Sequence, residues 1–135
     1  MPKIITGRCC CSKIRYEAKD PNTLWYCHCE QCRRMTGHYM AASQVELANI
    51  TIQGAPKWHY VSDYARYGFC PDCGSHLFWR NDKNPYLSVT GGSIDCSRGL
   101  EVGGHIFCAE KADYYQIPDG ETQFFRWDEQ FFGKQ

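Results

Sequence analysis

The sequence lacks an excess of charge of either sign and lacks long apolar runs. Fifteen Lys and Arg residues balance fifteen Asp and Glu residues, so no long-range positive field attracts nucleic acid or an anionic membrane. No stretch of about 18 apolar residues is present, and the first residues lack the apolar core of a secretory signal. These absences predict a cytoplasmic protein with neither nucleic acid nor membrane as its partner.

The sequence also lacks internal repeats, low-complexity tracts and any linker rich in Pro, Gly or Ser. Its 135 residues suffice for one modest core, so we expect a single domain over residues 1–135. A hydrophobic content of 43%, with 15% aromatic residues, excludes a disordered chain.

Short segments with alternating or β-branched and aromatic residues recur between turn residues, and this pattern predicts a mainly β fold built from several small antiparallel sheets. Alternation makes Trp25 and Trp58 candidates for the core. One short helix is predicted at residues 30–36, because Gly37 can end it. The predicted strands cover residues 14–18, 50–52, 57–61, 64–69, 75–80, 86–89 and 105–108.

What is abundant is cysteine, with ten residues, most of them in three clusters. Where thiols are kept reduced, such density indicates metal ligands before disulfides. The strongest motif is Cys70-Pro71-Asp72-Cys73-Gly74, a turn that offers two thiolates to a zinc ion. The alternative is a thioredoxin-like redox motif, which requires a helix after it. Residues 75–80 instead have a strand pattern, which favours zinc.

Cys9 and Cys11 form a second pair of ligands. On an extended segment, residues two apart project from the same face, so both sulfurs can bind one ion while Cys10 points away. Together with Cys70 and Cys73 they predict a four-thiolate site. A zinc ion with four protein ligands has no vacant position, so this site would be structural.

Cys27, Cys29 and Cys32 offer three sulfurs within six residues. Three protein ligands and one open position are typical of a catalytic zinc. The alternative is a second structural site completed by Cys96 or Cys108. His28 lies between the first two cysteines, and on an extended segment it would project to the opposite side.

Arg33 and Arg34 directly follow the three-cysteine motif. A zinc ion with three thiolates carries a net negative charge, which neighbouring guanidinium groups would offset. The same groups can donate paired hydrogen bonds to a substrate carboxylate. The alternative is that both arginines are simply solvated on the helix surface.

Three motifs together, Gly-x-Cys-x-Cys, Cys-His-Cys-x-x-Cys-Arg-Arg-x-Thr-Gly and Phe-Cys-x-x-Cys-Gly-Ser, occur in order at residues 7–11, 27–37 and 69–75. Their combination resembles the glutathione-dependent formaldehyde-activating enzyme family, which includes centromere protein V. Residues 114–120 are similar to the carboxy-terminal signature of the family. The chain differs at Ser12, where the family usually has glycine, and in its extra Cys10, Cys96 and Cys108.

The resemblance implies a β-tent fold with two zinc ions per chain. It places a structural zinc on Cys9, Cys11, Cys70 and Cys73, and a functional zinc on the three-cysteine motif. It also implies a carbon-sulfur lyase that joins the thiol of glutathione, or a similar thiol, to the aldehyde formaldehyde, giving S-hydroxymethylglutathione. Arg33 or Arg34 would hold a glutathione carboxylate. The alternatives are a non-catalytic, zinc-stabilised protein-interaction module and a buffer for metal or thiol.

Overall fold

The structure, a computed structural model, describes residues 2–127, so residue 1 and residues 128–135 of the expected domain lie outside the described part. The described residues form ten strands and one α-helix. The helix α1 spans Glu30–Thr36. The strands are β1 (Ile4–Arg8), β2 (Arg15–Lys19), β3 (Leu24–Cys27), β4 (Met40–Glu46), β5 (Ile50–Gln53), β6 (Lys57–Tyr60), β7 (Ala65–Phe69), β8 (His76–Asn81), β9 (Tyr86–Thr90) and β10 (Val102–Ile106).

The strands form two sheets. The smaller sheet has the antiparallel order β1-β2-β5, and the larger one has the order β10-β3-β4-β9-β8-β7-β6. Strand β10 pairs with β3 in parallel, whereas the other neighbours in the larger sheet are antiparallel. Three short 3₁₀ helices, Leu47–Asn49, Gly91–Ser93 and Cys108–Glu110, connect or follow the strands.

The mainly β architecture predicted from the sequence is confirmed, and so is the short helix at residues 30–36. Gly37 ends α1 with φ 92°, a left-handed conformation that favours glycine, and its N–H donates to the carbonyl of Arg33. The sequence pattern missed β1, β3 and β4. The strand expected at residues 105–108 ends earlier, because Phe107 has φ 55° and a 3₁₀ helix begins at Cys108.

Two groups of buried side chains hold the described residues together. The first lies between the two sheets and includes Ile5, Tyr16, Phe78 and Val89. The second surrounds the three-cysteine motif and contains Cys27, Cys32, Met40, Tyr67 and Ile106. The three-cysteine motif therefore lies among packed side chains of the larger sheet. No helix in the described part of the chain is long and apolar enough to cross a membrane.

Candidate metal centres

The four cysteines predicted to form a closed site lie together in the structure. Cys9 and Cys11 follow β1, and Cys70 and Cys73 lie in the turn between β7 and β8. Their four sulfurs lie within 4.8 Å of one another. The Sγ of Cys11 is 3.6 Å from that of Cys9 and 3.7 Å from that of Cys70. Tetrahedral coordination with Zn–S bonds of about 2.3 Å places sulfurs about 3.8 Å apart, so this donor set fits a zinc ion.

The turn that carries Cys70 and Cys73 is closed by its own backbone. The N–H of Gly74 donates to the carbonyl of Cys70 over 2.8 Å, and the N–H of Cys70 donates to that of Ser75 over 3.0 Å. Gly74 has φ 76°, which glycine adopts without strain. Hydrogen bonds from the hydroxyl and backbone N–H of Ser75 lower the pKa of Cys73 to about 5. The turn thus presents a sulfur that readily becomes a thiolate.

Cys9 and Cys11 do not lie on an extended segment, contrary to the sequence prediction. Residues 9–12 form a turn in which the N–H of Ser12 donates to the carbonyl of Cys9 over 3.1 Å. Ser12 has φ 69°, a conformation that favours glycine. The two sulfurs converge because the backbone reverses, not because side chains alternate along a strand. Cys10 is exposed and outside the sulfur cluster.

Cys9 is the buried member of this turn, and its environment favours the thiolate. Burial raises the pKa of Cys9. Hydrogen bonds from the backbone N–H of Ile14 and from the thiols of Cys11 and Cys70 lower it by more, so the net shift of the pKa is downward. The N–H of Ile14 lies 3.3 Å from its Sγ. Backbone donors therefore support negative charge on both halves of the cluster.

The second cluster contains the three remaining predicted ligands. Cys27 ends β3, Cys29 is the N-cap of α1, and Cys32 lies in the first turn of that helix. The N–H of Cys32 donates to the Sγ of Cys29 over 3.2 Å, and the three sulfurs lie within 4.8 Å of one another. Among residues 2–127, neither Cys96 nor Cys108 joins them.

The proton distribution in the three-cysteine cluster is uneven. Hydrogen bonds from Cys27 and Cys32 lower the pKa of Cys29 to about 3. The pKa of Cys27 is raised by its hydrogen bonds to these same neighbours and by burial. In Cys32 the hydrogen bond with Cys27 lowers the pKa, but the hydrogen bond with Cys29 and burial raise it to about 12. The neighbouring thiols thus favour negative charge on Cys29, and a divalent cation that replaces the remaining protons fits the cluster.

A cavity of about 650 Å³ borders the three-cysteine cluster. This volume is within the range of small-molecule sites. The side-chain amides of Gln31 and Asn81 and the carboxyl group of Glu110 line it. Its aromatic lining consists of Trp25, Tyr67, Trp79, Tyr86, Phe107 and Trp127.

Trp25, expected in the core, is half-buried and forms a wall of this cavity. Its ring lies against β10 at Gly103, where an added Cβ would be 2.6 Å from the ring. A residue with a side chain at this position would displace the indole. The glycine therefore determines the shape of the cavity beside the cysteines.

Tyr67 is fully buried and contacts the three-cysteine cluster directly. Its hydroxyl lies 3.2 Å from the Sγ of Cys32 and donates to the Oε1 of Gln31 over 3.1 Å. Burial raises the pKa of Tyr67 strongly, so the phenol keeps its proton. Sequence reasoning missed both Tyr67 and Gln31; the only signal was their position within a strand and a helix that lead to cysteine motifs.

The two arginines predicted to hold a carboxylate lie outside the described lining of the cavity. Arg34 is exposed and its Nε contacts the Oε1 of Glu30 over 3.0 Å. The Nε of Arg33 is buried and has no hydrogen-bond partner among the described residues. His28 is buried on the side away from the cavity, as its place between Cys27 and Cys29 predicts.

Comparison with known proteins supports a family assignment. A solved structure of a Rhodobacter sphaeroides protein is similar to this chain, with a TM-score of 0.56 and 21% identity over 72% of this chain and 97% of that one, which indicates a shared fold. No curated protein sequence matches the chain. The family model of the glutathione-dependent formaldehyde-activating enzyme matches residues 4–110, a range that contains all seven clustered cysteines. The chain therefore belongs to the glutathione-dependent formaldehyde-activating enzyme family.

Proposed function

We propose that this chain is a zinc-dependent carbon-sulfur lyase that joins glutathione, or a similar thiol, to formaldehyde and gives S-hydroxymethylglutathione. The observation that carries the proposal is the difference between the two sulfur clusters. Four sulfurs converge on one point in the first cluster, whereas the second has three sulfurs beside a cavity of about 650 Å³. Family membership supports formaldehyde-activating chemistry.

In this proposal Cys9, Cys11, Cys70 and Cys73 hold a structural zinc ion. Cys27, Cys29 and Cys32, which line the cavity, would hold a second ion. A zinc ion in that position would supply Lewis acidity that keeps an incoming thiol deprotonated near neutral pH.

The chain's own residues would position the two reactants. The carbon-sulfur bond forms between the thiol sulfur and the carbonyl carbon, and the proton lost by the thiol ends on the carbonyl oxygen. Tyr67 keeps its proton, and its hydroxyl, 3.2 Å from the Sγ of Cys32, would hold that sulfur in place beside the cavity. The surrounding aromatic walls exclude water and hold both reactants close together.

Arg33 and Arg34 remain predicted contacts for a glutathione carboxylate. Because neither lines the cavity among the described residues, this role requires the peptide to extend past the cavity mouth toward α1. Replacing each arginine separately by Gln and measuring the affinity for glutathione tests it.

The experiment that tests the proposal compares Cys29→Ser with Cys96→Ser, a matched substitution at an exposed cysteine outside both clusters. We expect calorimetric titration with glutathione to show binding to the zinc-loaded native chain and to Cys96→Ser, and none to Cys29→Ser. Exchange spectroscopy at varied glutathione should show formaldehyde turnover in the same two proteins. Equal binding in both variants would remove the ligand role of Cys29, and X-ray absorption showing four protein sulfurs on both ions would favour the interaction module.

A further inference from the structure

A chain of hydrogen bonds runs through two buried histidines, His28 and His105, neither of which lines the cavity. The Nδ1 of His28 lies 2.6 Å from the hydroxyl of Tyr115, and its Nε2 lies 2.8 Å from the Nδ1 of His105. The Nε2 of His105 in turn lies 3.1 Å from the Oε2 of Glu121. Both imidazoles are buried, with relative exposures of 0% for His28 and 3% for His105.

The chain of hydrogen bonds has a direction that is set at its Glu121 end. A carboxylate only accepts, so the Nε2 of His105 must carry a proton. In a neutral ring the Nδ1 of His105 is then an acceptor, and the Nε2 of His28 must donate to it. The Nδ1 of His28 is left to accept from the hydroxyl of Tyr115. With both rings neutral, each histidine is therefore the Nε2–H tautomer.

Backbone hydrogen bonds hold His28 and the segment that carries Glu121 against β10. The N–H of His28 donates to the carbonyl of Ile106 over 3.0 Å, and the N–H of His105 donates to that of Thr122 over 2.9 Å. The N–H of Phe124 donates to the carbonyl of His105 over 2.9 Å. The segment that carries Glu121 is thus fixed beside the strand that carries His105.

His28 lies between two cysteines of the three-sulfur cluster, so the orientation of its ring constrains how the backbone turns from Cys27 to Cys29. The ring also packs against other rings, with its centroid 4.7 Å from that of Tyr39 and 5.0 Å from that of His105. Holding this ring on the far face leaves the two flanking sulfurs to converge on the cavity side.

We propose that Glu121 and His105 are positioning residues that orient the His28 ring and so hold Cys27 and Cys29 in the arrangement that binds the second metal ion. This proposal rests on the proposed function, since it requires metal at the three-cysteine cluster. Residues that orient metal ligands from outside the coordination sphere typically change metal affinity by about tenfold to a hundredfold when they are replaced.

The first measurement needs no substitution. Long-range proton-nitrogen correlation spectra of the ¹⁵N-labelled, zinc-loaded chain report the tautomer of each histidine. We expect His28 and His105 both to show the Nε2–H pattern. An Nδ1–H pattern at either ring would contradict the direction of the hydrogen-bond chain and overturn the proposal.

The second measurement uses Glu121→Ala, with Glu121→Gln as the conservative variant and Glu17→Ala as the control at an exposed position on β2. Because Co²⁺ bound to thiolates absorbs visibly, a Co²⁺ titration resolves binding at each cluster. We expect Glu121→Ala to weaken Co²⁺ binding at the three-cysteine site by about tenfold and to mix the tautomers of His105. The Oε1 of Gln still accepts a hydrogen bond, so Glu121→Gln should restore most of the affinity.

The outcomes separate this proposal from the proposed function. If the native chain binds only one Co²⁺ ion, both fail. If it binds two and Glu121→Ala binds both as tightly as Glu17→Ala does, the positioning role alone is wrong. Equal loss of affinity at both clusters would show a general effect on the fold, which also overturns the positioning role.

Discussion

The most decisive prediction concerns the four-cysteine cluster and the substitution Cys70→Ser. Cys70 is 1% exposed and lies in the turn between β7 and β8. Its sulfur lies 3.7 Å from that of Cys11, which follows β1. A metal ion at this cluster therefore joins the smaller sheet to the larger one. Serine occupies a similar volume but is a much poorer zinc ligand, so the substitution tests the metal rather than the packing.

The magnitude follows from how few backbone hydrogen bonds join the two sheets. In the described residues, an isolated bridge from Gly7 to Ile94 links β1 to the segment after β9, and the N–H of Asp95 in that segment donates to the carbonyl of Thr6 over 2.9 Å. A structural zinc ion contributes about 10 to 16 kcal/mol of apparent binding free energy. The total stability of a domain is about 5 to 15 kcal/mol. Loss of the ion is therefore large enough to unfold the chain.

The assay is thermal unfolding followed by circular dichroism, with metal content measured on the same samples. Cys96→Ser is the control, because it removes an exposed thiol that belongs to neither cluster. We expect Cys70→Ser to be unfolded or to melt at a much lower temperature than the control. A strong chelator should have the same effect on the native chain. A chain that stays folded after it has lost all metal would refute the structural role of this cluster.

Three further predictions follow from single side chains. Tyr67→Phe removes the hydroxyl next to Cys32, and we expect it to lower the free energy of unfolding by about 1 kcal/mol and, in a Co²⁺ titration, to weaken the three-cysteine site by about tenfold. Gly103→Ala places a Cβ 2.6 Å from the tryptophan ring that walls the cavity; denaturant unfolding should show a loss of about 1 to 3 kcal/mol, whereas Gly120→Ala, with nothing within 4 Å, should show almost none. Burial raises the pKa of Tyr16 to about 12, above its unfolded value of about 10. The contribution of its neutral hydroxyl to the free energy of unfolding is therefore fully present below about pH 10 and is lost as the pH rises through about 12. Over this interval, urea unfolding should show the free energy of unfolding of the native chain falling by about 3 kcal/mol more than that of Tyr16→Phe, and equal losses would contradict the assignment.

Features that depend on neighbouring residues were predictable from the sequence. The helix at residues 30–36 and its end at Gly37 follow from local backbone preference. Most strands follow from alternation. Strand β3 has only four residues and ends in the cysteine motif, and β4 begins Met-Ala-Ala-Ser, so neither shows the β-branched pattern that identifies a strand.

In the four-cysteine cluster, one pair of ligands could be predicted from local spacing, whereas the geometry of the other pair depends on tertiary contacts. The spacing of Cys70 and Cys73 identifies a pair of ligands, because a short turn suffices to bring them together. The Cys9 and Cys11 pair was identified for the wrong geometric reason, since the chain reverses at Ser12 with φ 69° instead of running extended. A left-handed serine has no reliable sequence signal, because its conformation is imposed by surrounding contacts.

By itself, the sequence determined the cysteine motifs, the mainly β character and the family, because each depends on residue type and short-range spacing. Only the tertiary structure decided which side chains surround the metal centres. Tyr67 reaches Cys32 from 35 positions away, and His105 reaches His28 from 77 positions away. The pairing of distant strands creates these contacts and the cavity beside them, and no periodicity within a segment encodes which distant residue will face it.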